Sequence, residues 1–473
     1  MSRHRTNLSE AFADAFPGLS LGGGLVVIVA LLSAGAIALS PVKSRTDAQF
    51  WTFTRMHAGI YRPAIERWNS ENPGRRIDMT VFSLPALERR TMSSFLARTA
   101  MAELLEVERT IAQRAFGGPL DAVGFVDLTD RLRDEGLLER INAASFSPWT
   151  SRGRIFGIPH DVHPVMLAYR SDLTDAAGID MSTIETWEDY FRAMRPLMGD
   201  NDGDGEPDRY LLSFWETHAE PLEMMLLQAG GGFFDESGEP TIGAEINVRT
   251  MATLACWVGG PNRVAADAPD FSASGNELKL KGYVVASFMP DWMCDIFEKE
   301  IPQLAGKLRL MPLPAWERGG RRTSVWGGSM IGISRTAPDV ELAWEVAKML
   351  YLSPELAREL YEDGDIISPV RSNWSDPIYD APDEYFGGQA KGRMYIELAD
   401  SVPFRPSSPF TLMARARVQE ALMALAREAR ERRAERPEEL FETSRALLQQ
   451  AEARVREGMA RNRFHSGVDG VAP

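Results

Sequence analysis

Alternation of apolar and polar positions along this chain first becomes regular at Gln49, where QFWTFTR (49–55) reads as a strand. The period then changes. Ile65 and Trp68 lie three apart on one face of a helix that stops at the turn Asn72-Pro73-Gly74. IDMTVF alternates again as a second strand, and a helix is predicted over 86–96. Strand, helix, strand, helix predicts a parallel sheet with right-handed crossovers. Farther along, a helix is expected around 187–198, VVASFM predicts a strand ahead of Trp292, and VELAWEVAKMLYL carries apolar residues at helical spacing. From Ala414 to about Arg461 nearly every residue forms helix, with Leu422, Leu425 and Leu447 supplying apolar contacts and dense Arg and Glu on solvated faces.

Three segments break these periods. IFGIPHDVHPVMLAYR (155–170) contains Pro159 and Pro164, which forbid helix and limit ladder pairing, so it reads as an extended connection between two halves. VWGGSMIGIS (325–334) places an indole beside two glycines and then resumes alternation; glycine inside a strand marks close approach of a ligand or another backbone. IISPVRSNW repeats the proline-bearing extended character. A chain that crosses between halves more than once suits a hinged cleft.

Length and charge narrow the picture. At 473 residues the chain exceeds one core, so two lobes are expected. A net charge of −15 argues against nucleic acid and anionic membrane surfaces, which call for a basic face. Cys256 and Cys294 are the only cysteines; one bridge between them is open, and two separate buried thiols is the simpler expectation. Residues 21–40 carry no charge and as a helix would span about 30 Å, the thickness of a bilayer core. Full membrane length favours a retained anchor over a removed signal peptide, for which Ala36-Ile37-Ala38 would be the cleavage site. Either reading exports the remainder.

DNDGDGEPD sets Asp200, Asp202, Asp204 and Asp208 at the spacing of a calcium loop, with Gly205 at the sharp turn. Leu211 stands where the bidentate glutamate belongs, leaving a residue such as Glu216 to complete a structural Ca2+ site. His160 and His163 flank Asp161, but residues three apart in an extended segment point to opposite faces, so a shared metal is not expected. Trp51, Trp149, Trp215, Trp292 and Trp326 sit near predicted strand ends or loops, where rigid indole faces suit stacking on a sugar ring. No phosphate loop, nucleophile elbow or His-Glu-x-x-His motif is present. A glycosidase carboxylate pair stays open, because its separation is a tertiary property.

In order along the chain, FWTF with its helix ending at ENPG, GFVDLTDRL, GRIFGIPHDVHPVMLAYRSDL, TWEDY before DGDGEPDRY, FMPDWM, SVWGGSMIGISR, AWEVAKMLY and DIISPVRSNW resemble the extracellular solute-binding proteins, family 1, of ABC importers. Each motif is modest; their collinear order from about 49 to 425 is specific. The resemblance implies an α/β, two-lobed periplasmic-binding-protein fold of type II, with two mixed sheets flanked by helices and three interlobe crossings, near 159–163, 323–327 and 368–370. Its boundaries would be 1–47 for the tail and anchor, 48–160 with 328–368 for lobe 1, 161–327 with 369–463 for lobe 2, and 464–473 for a tail. It implies carbohydrate as ligand, permease subunits as partners, an extracytoplasmic location, no catalysis and no catalytic cofactor. Carried over by position, Trp51, Thr54, Trp292, Trp326, Gly327 and Gly328 line the cleft, and His57, Glu103, Asp161, Trp215 and Arg371 complete the expected ligand set. Three features depart from the pattern: Glu103 stands for the usual aspartate, a membrane-length segment replaces a lipobox, and an Arg/Glu-rich tail follows Leu425. A surface glycosidase and a membrane-tethered sensory ectodomain are the rival readings.

Overall fold

A computed structural model describes residues 26–33, 35, 48–200, 203 and 205–462. Met1–Thr46 and Asp47–Pro473 form separate compact units. In the first, residues 26–33 are helical and Val26, Leu31 and Leu32 are exposed. Among the described residues no helix is long and apolar enough to cross a membrane; the rest of the 21–40 segment lies outside them.

In the second unit, the early part of the chain alternates strand and helix: β1 (Ala48–Thr52), α1 (Arg55–Glu71), β2 (Ile77–Val81), α2 (Leu84–Ala97), β3 (Leu104–Glu108) and α3 (Arg109–Ala115). α1 continues through Pro63, and Asn72 caps its end by bonding Trp68 O. β1 pairs in parallel with both β2 and β3, as the strand–helix alternation predicts. Two later strands complete the sheet, β4 (Ile158–Pro159) and β8 (Ser329–Ile333), giving the order β2-β1-β3-β8-β4. β8 runs antiparallel to β3 and to β4, so the sheet is mixed. Period-2 alternation divides its two faces. Leu104, Ile331 and Ile333 join Phe50 and residues of α1, α7 (Val340–Leu352) and α8 (Pro354–Gly364) in one core cluster. Leu105, Val107 and Met330 face a second cluster that includes Leu87 and Ile111.

The 155–170 segment is not a connection throughout. Only its middle crosses between lobes, because β5 (Val165–Arg170) is the fully buried central strand of a second sheet, ordered β6-β5-β7 with β6 (Ala286–Pro290) and β7 (Leu308–Pro312) antiparallel to it. Both prolines precede this strand and leave its ladder intact. The second core surrounds that sheet and takes in Val248 and Met251 of α5 (Glu245–Gly259), Val418 and Leu422 of α9 (Thr411–Arg432) and Leu448 of α10 (Phe441–Arg461). The Arg/Glu-rich C-terminal helices are thus part of the second core. Both cysteines are free; Cys294 is buried and Cys256 half-buried.

Candidate functional site

β3 ends at Glu108, and because β8 is antiparallel to it, Ser329 at the start of β8 lies opposite Glu108. β4 leaves the sheet at the same end, where His160 N–H bonds Ser329 O at 3.0 Å. Two crossings therefore run side by side, joined again by the bridge between Pro164 and Val325. The third crossing joins them where Val162 N–H bonds Ile367 O at 3.2 Å. In the second lobe β6 ends at Pro290, opposite Val165, which puts Asp291 and Trp292 beside the same three segments. The ends of both sheets thus face one hinge, the place where α/β folds bind ligands.

Trp292, from the N-terminus of α6 (Asp291–Glu300), packs against the cores of both lobes. Its Nε1 donates to Trp326 O at 3.0 Å, and the two indoles meet edge to face at 6.1 Å. Phe271 stacks parallel to Trp292, 6.0 Å away at 6°, while staying 59% exposed and holding a left-handed backbone with φ 58°. A non-glycine residue keeps such a conformation only where its surroundings impose it. Gly327 and Gly328 have φ of 103° and 121°; a Cβ on Gly327 would lie 2.7 Å from Trp292 Nε1, and one on Gly328 would touch Arg405 and Trp149. Backbone conformation and space both require glycine at these two positions.

Beneath this wall lies a buried chain of ionisable groups. Glu106, on the core face of β3, accepts hydrogen bonds from Thr52 Oγ1 at 2.6 Å, Tyr61 Oη at 3.0 Å and Tyr351 Oη at 2.8 Å, and His57 Nδ1 lies 2.9 Å from it. His160 Nε2 is 2.7 Å from Tyr61 Oη, and its Nδ1 is 2.9 Å from Asp161. His163 joins Asp161 at 2.5 Å and Asp291 at 2.9 Å. The expectation that the two histidines diverge is corrected here: His163 takes φ 55°, which turns its ring back so that both imidazoles converge on Asp161. His57, Glu106 and His160 also offer donor atoms within 4.8 Å of one another, a set suited to a zinc ion, though two of them already bond each other.

Burial alone would depress the His163 imidazolium, but the carboxylates of Asp161 and Asp291 outweigh it and raise it to about 9. Burial likewise works to raise Glu106; the His57 charge and hydrogen bond, with His160 and Thr52, hold it at about 2. Burial and His57 lower His160. Because it is raised on folding, His163 contributes stability that is full below the ordinary histidine value of 6.5 and is lost as the pH climbs to about 9. The depressed Glu106 contributes above 4.5 and loses that contribution as the pH falls to about 2. His160 adds a loss below 6.5. Unfolding free energy from urea titrations is expected to decline between neutrality and pH 9, and to decline less steeply in His163→Gln. A wild-type profile level from neutrality to pH 9 would contradict this assignment.

Across the hinge a second charged group ties the lobes together. Arg109, at the first turn of α3, bonds Glu223 at 2.7 Å and Glu220 at 3.0 Å, both on α4 (Ala219–Gln228) of the other lobe. Arg415 of α9 reaches Glu220 as well and holds Glu223 at 2.9 Å. Opposing burial, Arg109 and Arg415 keep the Glu223 carboxyl at about 2. Arg405 approaches the same group, donating through Nη2 to Gly327 O.

The family profile described as bacterial extracellular solute-binding protein matches residues 54–355, more than half of the chain. This chain belongs to that family. Its relatives include an arabinooligosaccharide-binding protein of Halalkalibacterium halodurans, 24% identical over 76% of this chain and 80% of that one. A lactose-binding protein of Rhizobium radiobacter is 20% identical over 80% of this chain and 87% of that one. Among solved structures, the sugar-binding protein MalE of Xanthomonas citri superposes with a TM-score of 0.70 at 16% identity, covering 90% of this chain and all of that one (100%). An ABC substrate-binding protein of Listeria monocytogenes in complex with cycloalternan gives 0.66 at 18% identity, covering 88% of this chain and 100% of that one. The two-lobed α/β fold expected of such proteins is the one observed.

In this solute-binding protein the hinge gathers Asp161, Trp292, Trp326, Gly327 and Gly328, with His57 linked to them through Glu106 and His160. Thr54 sits at the start of α1 with its buried hydroxyl unpartnered. Trp51 packs edge to face on Phe82 at 5.2 Å, and Trp215 is half-buried against the second core. Glu103 lies at the far end of β3 from Arg109, accepting Gln49 N–H at 2.5 Å. Arg371 pairs with Asp400 at 2.7 Å and lies over Trp374. In the acidic loop Asp200 accepts amide protons from Gly203 and Gly205, while Asp202 and Asp204 lie outside the described residues. Glu216 is bonded to Arg430 at 2.8 Å and so is already engaged. Sequence reasoning passed over Glu106, Arg109, Glu220, Glu223, Arg405 and Arg415. The available signals were an acid inside the apolar strand LLEVE and two glutamates three apart in EPLEMML.

Proposed function

We propose that this solute-binding protein captures an oligosaccharide between its lobes and delivers it to the membrane subunits of an ABC importer. The observation that carries this reading is the parallel Phe271–Trp292 stack at the hinge, an exposed aromatic face held beside bare glycine backbone. Sugar rings present one apolar face and a rim of hydroxyls, so an indole wall set above charged and amide groups matches both parts. The names of the relatives and solved neighbours support a carbohydrate ligand. Trp51, Thr54, His57, Glu103, Asp161, Trp215, Trp292, Trp326, Gly327, Gly328 and Arg371 remain the proposed contact set, with the hinge group at its centre. The absence of a nucleophile motif supports binding without catalysis. Anchoring by residues 21–40 and a Ca2+ ion in the loop from Asp200 to Asp208 belong to the same proposal, resting on the sequence patterns described above.

Thermal unfolding against a panel of neutral and acidic oligosaccharides tests this reading. A ligand of the folded state present at 100 times its Kd adds about 2.7 kcal/mol and raises the melting temperature. The expected result is such a shift with the sugar recovered intact; release of shortened products would favour a glycosidase, and no shift with any sugar would overturn the proposal.

A further inference from the structure

Arg405 is a buried cation with unused donors. It is 3% exposed, its Nη2 bonds Gly327 O and its backbone N–H bonds Ser147 Oγ, yet Nε and Nη1 have no hydrogen-bond partner. Both the residue and its neighbour Ser145, whose buried hydroxyl is also unpartnered, line one small cavity of about 10 Å³ at the hinge. Trp149, Gly328 and Val325 supply further walls of that cavity. Native proteins rarely leave buried polar groups unpaired, and a guanidinium least of all.

Among the described residues no carboxylate hydrogen-bonds Arg405 through Nε or Nη1. Glu220 and Glu223 are shared between Arg109 and Arg415, two carboxylates for two guanidiniums before Arg405 is counted. Glu108 is taken up in capping α3, accepting Thr110 N–H at 2.7 Å. Asp161 also lines the cavity, but each of its oxygens is held by a histidine, His160 at 2.9 Å and His163 at 2.5 Å. The unpartnered groups lining the cavity are therefore two guanidinium donors and a hydroxyl that can donate or accept, a set that favours an acceptor.

From this geometry we infer that the sugar taken up carries a carboxylate, a uronic acid residue, whose oxygen enters the cavity between Arg405 and Ser145. This rests on the reading of the chain as a carbohydrate binder and narrows its substrate class. The cavity is about the size of one water molecule, which suits one oxygen of a planar carboxylate better than a tetrahedral phosphate. The overall charge of −15 would slow the approach of an anion at long range, so recognition would come from contact at the hinge rather than from steering.

Calorimetric titration of the full-length protein with oligouronides, their methyl esters, the neutral oligosaccharides of matching ring stereochemistry and the corresponding sugar phosphates separates the outcomes. The esters keep every hydroxyl, lose the charge and add one methyl group, so the Arg405 variant separates loss of charge from added bulk. One oligouronide is expected to bind about tenfold or more tighter than its own ester, because a site built to pair a polar group rejects a ligand lacking it. Arg405→Gln, checked for folding by circular dichroism, should erase that difference. Equal affinity for acid and ester, or tighter binding of the neutral counterpart, would mean that the cavity holds a water only and would overturn this inference while leaving the proposed function standing. Preference for a sugar phosphate would overturn the carboxylate assignment. No binding by any arm would overturn the proposed function, and this inference with it.

Discussion

Glu106→Ala is expected to cost about 3–5 kcal/mol of unfolding free energy, the range found when one member of a buried charged network is removed. Its carboxylate is wholly buried and receives Thr52, Tyr61 and Tyr351, with His57 alongside. Alanine would strand all four of these groups in a core that cannot hydrate them, and each buried donor without an acceptor is costly. Glu106→Gln keeps the volume and one acceptor oxygen and is expected to lose less. Urea titration of the three proteins side by side measures the effect; a loss under about 1 kcal/mol for alanine would mean that water replaces the carboxylate and that the network is looser than its distances suggest.

Glu223→Ala should be comparably severe, about 3–5 kcal/mol, for a different reason. It would leave Arg109 and Arg415 sharing Glu220 alone, with Arg405 close by, so three buried or half-buried guanidiniums would face one carboxylate. Because Arg109 belongs to one lobe and Glu223 to the other, this loss falls on the contact between lobes. The variant is expected to populate more separated lobes as well as to unfold at lower urea. Replacing both partners, Arg109→Met with Glu223→Leu, should recover much of the stability, since a buried ion pair exchanged for apolar groups of similar volume is often neutral. A double variant no better than Glu223→Ala would contradict this account of the pair.

Much of the fold was legible because its periods are clean. β1, β2 and the helix Val340–Leu352 follow directly from alternation or helical spacing. β5 was hidden by Pro159 and Pro164, which precede a strand so fully buried that it shows no polar alternation of its own. At the hinge, Trp292, Trp326 and the glycines were readable from local composition, since a glycine pair beside tryptophan at a strand start marks a place where something must approach the backbone closely. The charged groups were not. Glu106 reads like any acid until register places it on a core face, and Arg109, Glu223 and Arg405 lie 78 or more positions from the partners they meet. Pairings of that kind depend on tertiary contact. The convergence of His160 and His163 was misjudged because a single left-handed residue reverses the facing rule for extended chains.

X-ray scattering of the protein titrated with an oligosaccharide that raises its melting temperature is the most direct measurement of a sugar held between two hinged lobes. The expected result is a radius of gyration that falls and saturates with the sugar, together with a larger starting radius for Glu223→Ala. An unchanged radius in the presence of full binding would place the sugar outside the cleft and contradict the account.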